Sequence, residues 1–317
     1  MTTIDLGVPS PTPTHLFDRL PRRVALTLPE LRFCAQRAGD APLPFVDVPA
    51  DTAAARADGA VPDALADRLG VRPADDDATA YAEAVASLGD PSASLTRRGL
   101  LTDAGVDAGI IGAIGLLATP RIGVDIDVVV AGGARAKAWH RQADGAVASL
   151  ATADGLVFEL AWFDSEAWPD ELRRVAAVPE DVPLAPSSVP EAVDLPYELV
   201  DAAGEALRSN RSDVLPALVA QHSGEVQDAE GRVLSDGEVL TLVRALHDET
   251  QGRVRAMVAD VGTGSTTVGI VSWVLLADGW HGLRPHRDGD RQRVDVHRVE
   301  PGDFPAALAP VLAEVAG

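Results

Sequence analysis

One frame of residues occurs twice in the chain. Trp139 is followed after three residues by Ala143-Asp144-Gly145 and after seven more by Ala153-Asp154-Gly155; Trp273 is followed at the same intervals by Ala277-Asp278-Gly279 and Arg287-Asp288-Gly289. An Asp-Gly pair between apolar runs is a strong local hairpin signal, because a type I′ turn needs positive φ at both central residues and Asp and Gly tolerate it. Four such pairs at matched spacing predict a duplicated antiparallel meander.

The flanking residues fit that reading. In 124–130, Val124, Ile126, Val128 and Val130 alternate with Asp125 and Asp127, the pattern of a half-buried strand. The strand bearing Trp139, the strand between its two Asp-Gly pairs and the run 156–163 complete the first meander. Strands at 253–260, 267–276, 280–285 and 292–299 form the second. Each meander ends in a helix led by an aromatic-proline pair, Trp168-Pro169 and Phe304-Pro305. Two capping boxes announce helices before the meanders, Thr27-x-x-Glu30 and Ser235-x-x-Glu238. Asp194-Leu195-Pro196 repeats the helix start Thr27-Leu28-Pro29, and 43–48 reads as a short edge strand. Further helices are expected at 62–69 and 78–88. In 95–118, Val106, Ile110, Ile111, Ile114 and Leu117 keep helical spacing. Gly109, Gly112 and Gly115 share that helix and each costs about 1 kcal/mol there, which close packing on the sheet would offset. Pro179, Pro183, Pro186 and Pro190 mark an extended connection.

The expected organisation is therefore a leader at 1–20, an N-terminal α/β half at 21–178, a proline-rich linker at 179–193 and a C-terminal α/β half at 194–317, integrated into one domain. The fold class is α+β: two pseudo-symmetric halves, each an antiparallel meander flanked by helices, sharing a central sheet.

Composition narrows function. With 27 basic and 48 acidic residues the net charge is −21, a field that repels phosphate backbones and anionic lipid, so nucleic acid and membrane insertion are not expected. No apolar run is long enough to span a bilayer and none near Met1 has signal-peptide character, so a cytoplasmic location is expected. Cys34 is the sole cysteine, so the chain has neither an internal disulfide nor a cysteine zinc cluster. It reads as a small buried thiol.

No zinc-protease, nucleophile-elbow or Walker motif occurs, and neither enzyme activity nor a cofactor or metal is expected. Gly262-Thr263-Gly264 lies between two strands and reads as a hairpin tip, and Asp75-Asp76-Asp77 as a solvated loop or helix start. His281, His286 and His297 lie near Asp288 and Asp290 among Arg284, Arg287, Arg291, Arg293 and Arg298. Their spacing matches no standard ligand pattern, and the stretch reads as a solvated strand face. A small-ligand or enzyme site there is the alternative. The strand 267–276 is more informative. Val268, Ile270, Val274 and Leu276 point to one face, and Val271, Trp273 and Leu275 to the other. Both faces of such a strand need cover, one from helices of its own half, the other from the remaining helical layer or from another protein.

Several short patterns resemble those of the EspG family, the cytosolic chaperones associated with ESX (type VII) secretion in actinobacteria. They are Leu26-Thr27-Leu28-Pro29-Glu30-Leu31, Arg98-Gly99-Leu100-Leu101, Leu116-Leu117-Ala118-Thr119-Pro120, Gly252-Arg253-Val254-Arg255-Ala256 and Leu283-Arg284-Pro285. The Ala/Asp-rich stretch 50–94 and the pronounced proline linker depart from the family. The resemblance implies two pseudo-symmetric halves on one sheet and a non-enzymatic chaperone that keeps a helical PE/PPE-type substrate soluble for export. An adaptor for another helical protein, or for a second copy of itself, is the alternative. The residues expected to meet the partner are Trp139, Val271, Trp273, Leu275, Leu242 and Leu246.

Overall fold

The computed structural model describes residues 20–45, 75–131, 135–262 and 268–316. In chain order the first half consists of β1 (Arg22–Thr27), α1 (Leu28–Arg37), α2 (Asp75–Ser87), α3 (Pro91–Arg97), a small hairpin of β2 (Leu101–Thr102) and β3 (Gly105–Val106), α4 (Ala108–Ala118), the strands β4 (Ile122–Val130), β5 (Arg135–Ala143), β6 (Ala146–Thr152) and β7 (Val157–Asp164), and α5 (Trp168–Val175). The second half consists of β8 (Ala192–Pro196), α6 (Tyr197–Arg208), α7 (Leu215–Gln221), β9 (Gln227–Asp228), α8 (Asp236–Asp248), the strands β10 (Gly252–Asp260), β11 (Val268–Leu276), β12 (Gly279–Asp288) and β13 (Arg291–Val299), and α9 (Phe304–Ala316).

Eleven strands form one antiparallel sheet in the order β1-β7-β6-β5-β4-β10-β11-β12-β13-β8-β9. The two meanders meet where β4 pairs with β10, with Ile126 opposite Ala256. Moving outward, each half closes in the same way: β1 adds to the last strand of its own meander, β7, as β8 adds to β13. Both capping boxes form, Thr27 with Glu30 and Ser235 with Glu238. The aromatic-proline pairs occupy the first turns of α5 and α9.

Side-chain alternation divides the core into three. On the back face, Val124, Ile126 and Val128 join Val254, Ala256 and Val258 beneath Trp168 and Leu172 of α5 and Phe304 and Leu308 of α9. On the front face, α1, α3 and α4 cover the first half with Leu31, Leu95, Ile110 and Ile114, packed on Trp139, Leu150 and Leu160. The helices α6, α7 and α8 cover the second half with Leu199, Leu215 and Leu242, packed on Leu195, Leu276 and Val296. The back core draws on both halves. The expected linker 179–193 ends in β8, which takes Ala192 and Val193; the irregular part, 179–191, is pinned, since Glu249 accepts from the Ser187 hydroxyl and the Ser188 amide and Val189 is buried in the second front core.

The structure corrects several expectations. The Trp frame does not stay in step with the hairpins it announces. The first turn occupies Asp144-Gly145, both with positive φ, but the corresponding turn occupies Ala277-Asp278, because Leu276 pairs with Gly279. A one-residue shift turns a side chain to the other side of a sheet. Trp139 therefore faces front and Trp273 faces back. The counterpart of Trp273 is His140, which lies beneath Trp168 as Trp273 lies beneath Phe304. Only Asp144-Gly145 has both residues at positive φ; Gly289 alone takes it in the β12–β13 turn.

The strands β1 and β8 replace the run-ups to helices read there. Asp194 lies within β8, and α6 starts only at Tyr197, with Pro196 as its N-cap. Leu43 to Phe45 form no strand. Phe45 instead stacks on Phe158 at 5.0 Å and tilts against Trp139 at 5.4 Å. Residues 46–48, the expected helix at 62–69 and the leader before Leu20 lie outside the described residues. Of the three helical glycines only Gly109 needs its missing side chain, since a Cβ there would sit 2.7 Å from the Trp162 ring, while Gly112 and Gly115 face open space.

His140 is fully buried and accepts a hydrogen bond at Nδ1 from the Trp168 indole N–H, 3.1 Å away. Burial first, then the Arg141 and Arg174 charges, push its pKa from 6.5 down to about 3. Between those values the unfolded chain binds a proton that the folded chain refuses, so stability falls with pH by up to ~1.4 kcal/mol per unit below 6.5. In His140→Asn the amide oxygen can replace Nδ1 as acceptor. Chemical denaturation from pH 7 to 4 should show wild type losing stability relative to that variant; parallel curves would refute the assignment.

Candidate partner-binding face

The strand β11 is apolar on both sides, and its two sides have different fates. On the back, Trp273 and Leu275 are buried and α9 lies so close that a Cβ at Gly269 would overlap Val311. On the front, Leu276 is buried and Val274 partly buried under the second-half helices, but Val268 and Ile270 are 48% and 49% exposed. Opposite Ile270 on β10 stands Met257, 40% exposed, and Val261 beyond the end of β10 is 53% exposed. The helices of the two halves thus leave an open front strip over β4, β10 and β11, continued onto the start of β5, where Arg135 and Lys137 are exposed.

The register sets the floor of this strip in rows. One row runs Trp139, Asp125, Met257, Ile270, the next Lys137, Asp127, Arg255, Ser272, and the third Arg135, Val129, Arg253, Val274. The first row includes a part-exposed ion pair, in which the buried Arg141 donates through Nη1 to Asp125 Oδ1 at 2.6 Å and so neutralises the one carboxylate beside Met257. Arg135, Lys137, Arg253 and Arg255 are exposed, and no ion pair forms to any of them among the described residues. The strip is therefore apolar at one end and basic at the other.

Of the six side chains expected to meet a partner, four lie in the interior. Trp139 is in the first front core, Trp273 and Leu275 in the back core and Leu242 in the second front core. Val271 is half-buried against the back core, and Leu246 half-buried on α8. The apolar spacing that marks most of them, of period two in β11 and helical in α8, is the signature of a core face, and it does not tell which part of a face the helices leave bare. Met257, Arg253 and Arg255, which are not among the expected contact residues, stand exposed on the front of β10. Their alternation with Val254, Ala256 and Val258 along β10 was the available signal.

The histidine and arginine stretch is not one site. His281 is buried on the front face with Nε2 2.9 Å from Asp278, while His297 points to the back beside Gly282. His286 and Arg293 both reach Asp194, and Arg291 pairs with Glu225 at the exposed hairpin tip. Among the described residues no three His, Cys, Asp or Glu side chains are placed to hold a metal ion. Cys34 is buried, and burial, with the Glu30 charge adding to it, pushes its thiol up to about 11. None of the described helices is long and apolar enough to cross a membrane.

No family model matches the sequence, and no curated protein matches it. The fold does find neighbours among solved structures. One is the Mycobacterium tuberculosis type VII secretion system chaperone EspG5 in complex with a PE25–PPE41 dimer. It superposes with a TM-score of 0.55 at 11% identity, over 93% of this chain and 97% of that one. The chain has an EspG-like fold. At 11% identity the likeness is one of architecture: a large antiparallel sheet flanked by helices, spanning both halves.

Proposed function

We propose that the chain is a non-enzymatic cytosolic chaperone or adaptor that binds a helical PE/PPE-type substrate of a type VII secretion system and keeps it soluble for export. The observation that carries this reading is the EspG-like fold over nearly the whole chain, in a neighbour solved with a PE–PPE pair bound. The open front strip supports it, since this fold leaves apolar side chains uncovered where two helical layers part. Interactions of this size are releasable. A few exposed side chains contribute about 25 cal/mol per Å² buried, and association entropy offsets much of that. On this reading Trp273 and Leu275 support the face from the back of the sheet, and Trp139 and Leu242 anchor the two front helical layers that flank it.

Co-expression with a PE/PPE-like pair from the same genome should give a ternary complex that co-elutes on gel filtration, with the pair alone insoluble or aggregated. A pair that is equally soluble alone and never co-elutes with the chain would refute the proposal.

A further inference from the structure

The strip has the size of one helix. From the Arg253 row to the Ala259–Val268 row there are six residue steps along β10, about 20 Å at ~3.4 Å per residue. A helix covers that distance in about four turns. From β5 to β11 there are three strand spacings, about 14 Å across, against a helix diameter of about 10–12 Å. A second helix does not fit beside the first.

Its chemistry is directional. In a chain of net charge −21, four exposed basic side chains without ion pairs among the described residues gather in two adjacent rows: Arg135 with Arg253, and Lys137 with Arg255. Lys137 is the sole lysine of the sequence. Within those rows Asp127 is the one acidic side chain. Beyond them the floor turns apolar through Met257, Ile270, Val268 and Val261. An unpaired cationic cluster adjoining an apolar surface complements a segment that carries carboxylates at one end and apolar side chains at the other. Nucleic acid satisfies the cationic end alone and meets the chain's net negative field. A second copy brings the same charge excess with it.

We propose that the front strip holds one acidic, partly apolar helix of a partner protein, its apolar residues on Met257, Val268 and Ile270 and its carboxylates on Arg135, Lys137, Arg253 and Arg255. This rests on the adaptor reading and specifies the partner's contact segment.

The test uses the full chain and two fluorescent helical peptides of about 20 residues. Both carry leucines along one face toward the N-terminus and differ only in glutamate or lysine toward the C-terminus. Fluorescence anisotropy should show the glutamate peptide binding at least about tenfold more tightly than the lysine peptide. Arg253→Glu/Arg255→Glu should reverse that preference, and Ile270→Ser should weaken both peptides. All three side chains are exposed, and far-UV circular dichroism checks that the variants fold. Equal binding of the two peptides, or a glutamate peptide indifferent to Arg253→Glu/Arg255→Glu, overturns the proposal. So does an oligouridine that binds in place of the peptide, or sedimentation of the chain as a dimer that the double variant dissociates. If no ternary complex forms with a PE/PPE pair but the peptides behave as stated, the secretion reading fails and this one stands. A ternary complex unaffected by the double variant has the opposite meaning.

Discussion

Trp280→Ala lowers the unfolding free energy by about 3–5 kcal/mol and does so for both halves at once. Trp280 is 1% exposed in the back core and lies against Trp273, with ring centroids 6.4 Å apart. Its indole N–H donates to the Ala176 carbonyl at 2.8 Å, so a side chain of the second meander satisfies the end of a first-half helix, α5. Truncation leaves a cavity between the halves and an unpaired carbonyl beside it. Because the same core holds Ile126 and Val128 of β4 together with Ala256 and Val258 of β10, neither half keeps a complete back face without the other. Urea unfolding followed by tryptophan fluorescence and by far-UV circular dichroism should give one coincident transition in wild type and variant, with the variant's midpoint lower. Two separated transitions, with only the second-half one shifted, would show that the halves fold independently.

Legibility in the sequence follows the range of the interaction. The capping boxes at Thr27 and Ser235 were legible because both partners lie within one turn of helix. The eight meander strands were legible because their alternation survives on the central part of a sheet covered on its back. β1 and β8 were not. Each is five or six residues long and runs directly into a helix, so the strong helix-start signal masks the strand before it. The hairpin β2–β3 escaped notice for a related reason, since its few residues sit inside a stretch whose apolar spacing reads as helical. The repeated Trp frame identified the right ribbons, but it placed Trp139 and Trp273 as equivalents when a one-residue offset of the second turn sends them to opposite faces. The candidate site was legible only as a property of β11. Which part of its front side stays bare depends on where α4 and α8 end over the sheet, and no local pattern in β11 records that.

Loss of Arg98 has the second large expected effect, since it strands a buried charge. Glu30 is 2% exposed, and its carboxylate accepts from the Thr27 amide at 2.8 Å and from Arg98 Nη1 at 3.0 Å. Burial alone would raise its pKa, but the Thr27 amide, the Ser94 hydroxyl and Arg98 outweigh it and hold the carboxyl below 4.5. Arg98 also donates through Nη2 to the Ala25 carbonyl at 2.6 Å, on the side of β1 that has no neighbouring strand among the described residues. It thereby covers part of a sheet edge that would otherwise be free to pair with another chain. Arg98→Ala should cost about 3 kcal/mol, the lower end for breaking a buried pair, because Arg98 itself is one-third exposed. Adding Glu30→Gln should restore most of that loss: a glutamine keeps the capping box and removes the uncompensated charge. The pH dependence distinguishes a stranded charge from lost packing. A carboxylate with a lowered pKa contributes stability that is present above its unfolded value and lost as pH falls through the folded one. The gap between wild type and Arg98→Ala should therefore be widest near pH 7 and narrow in acid as Glu30 is protonated in both. A gap that stays constant from pH 7 to 3.5 would assign the loss to the arginine's packing instead of its charge.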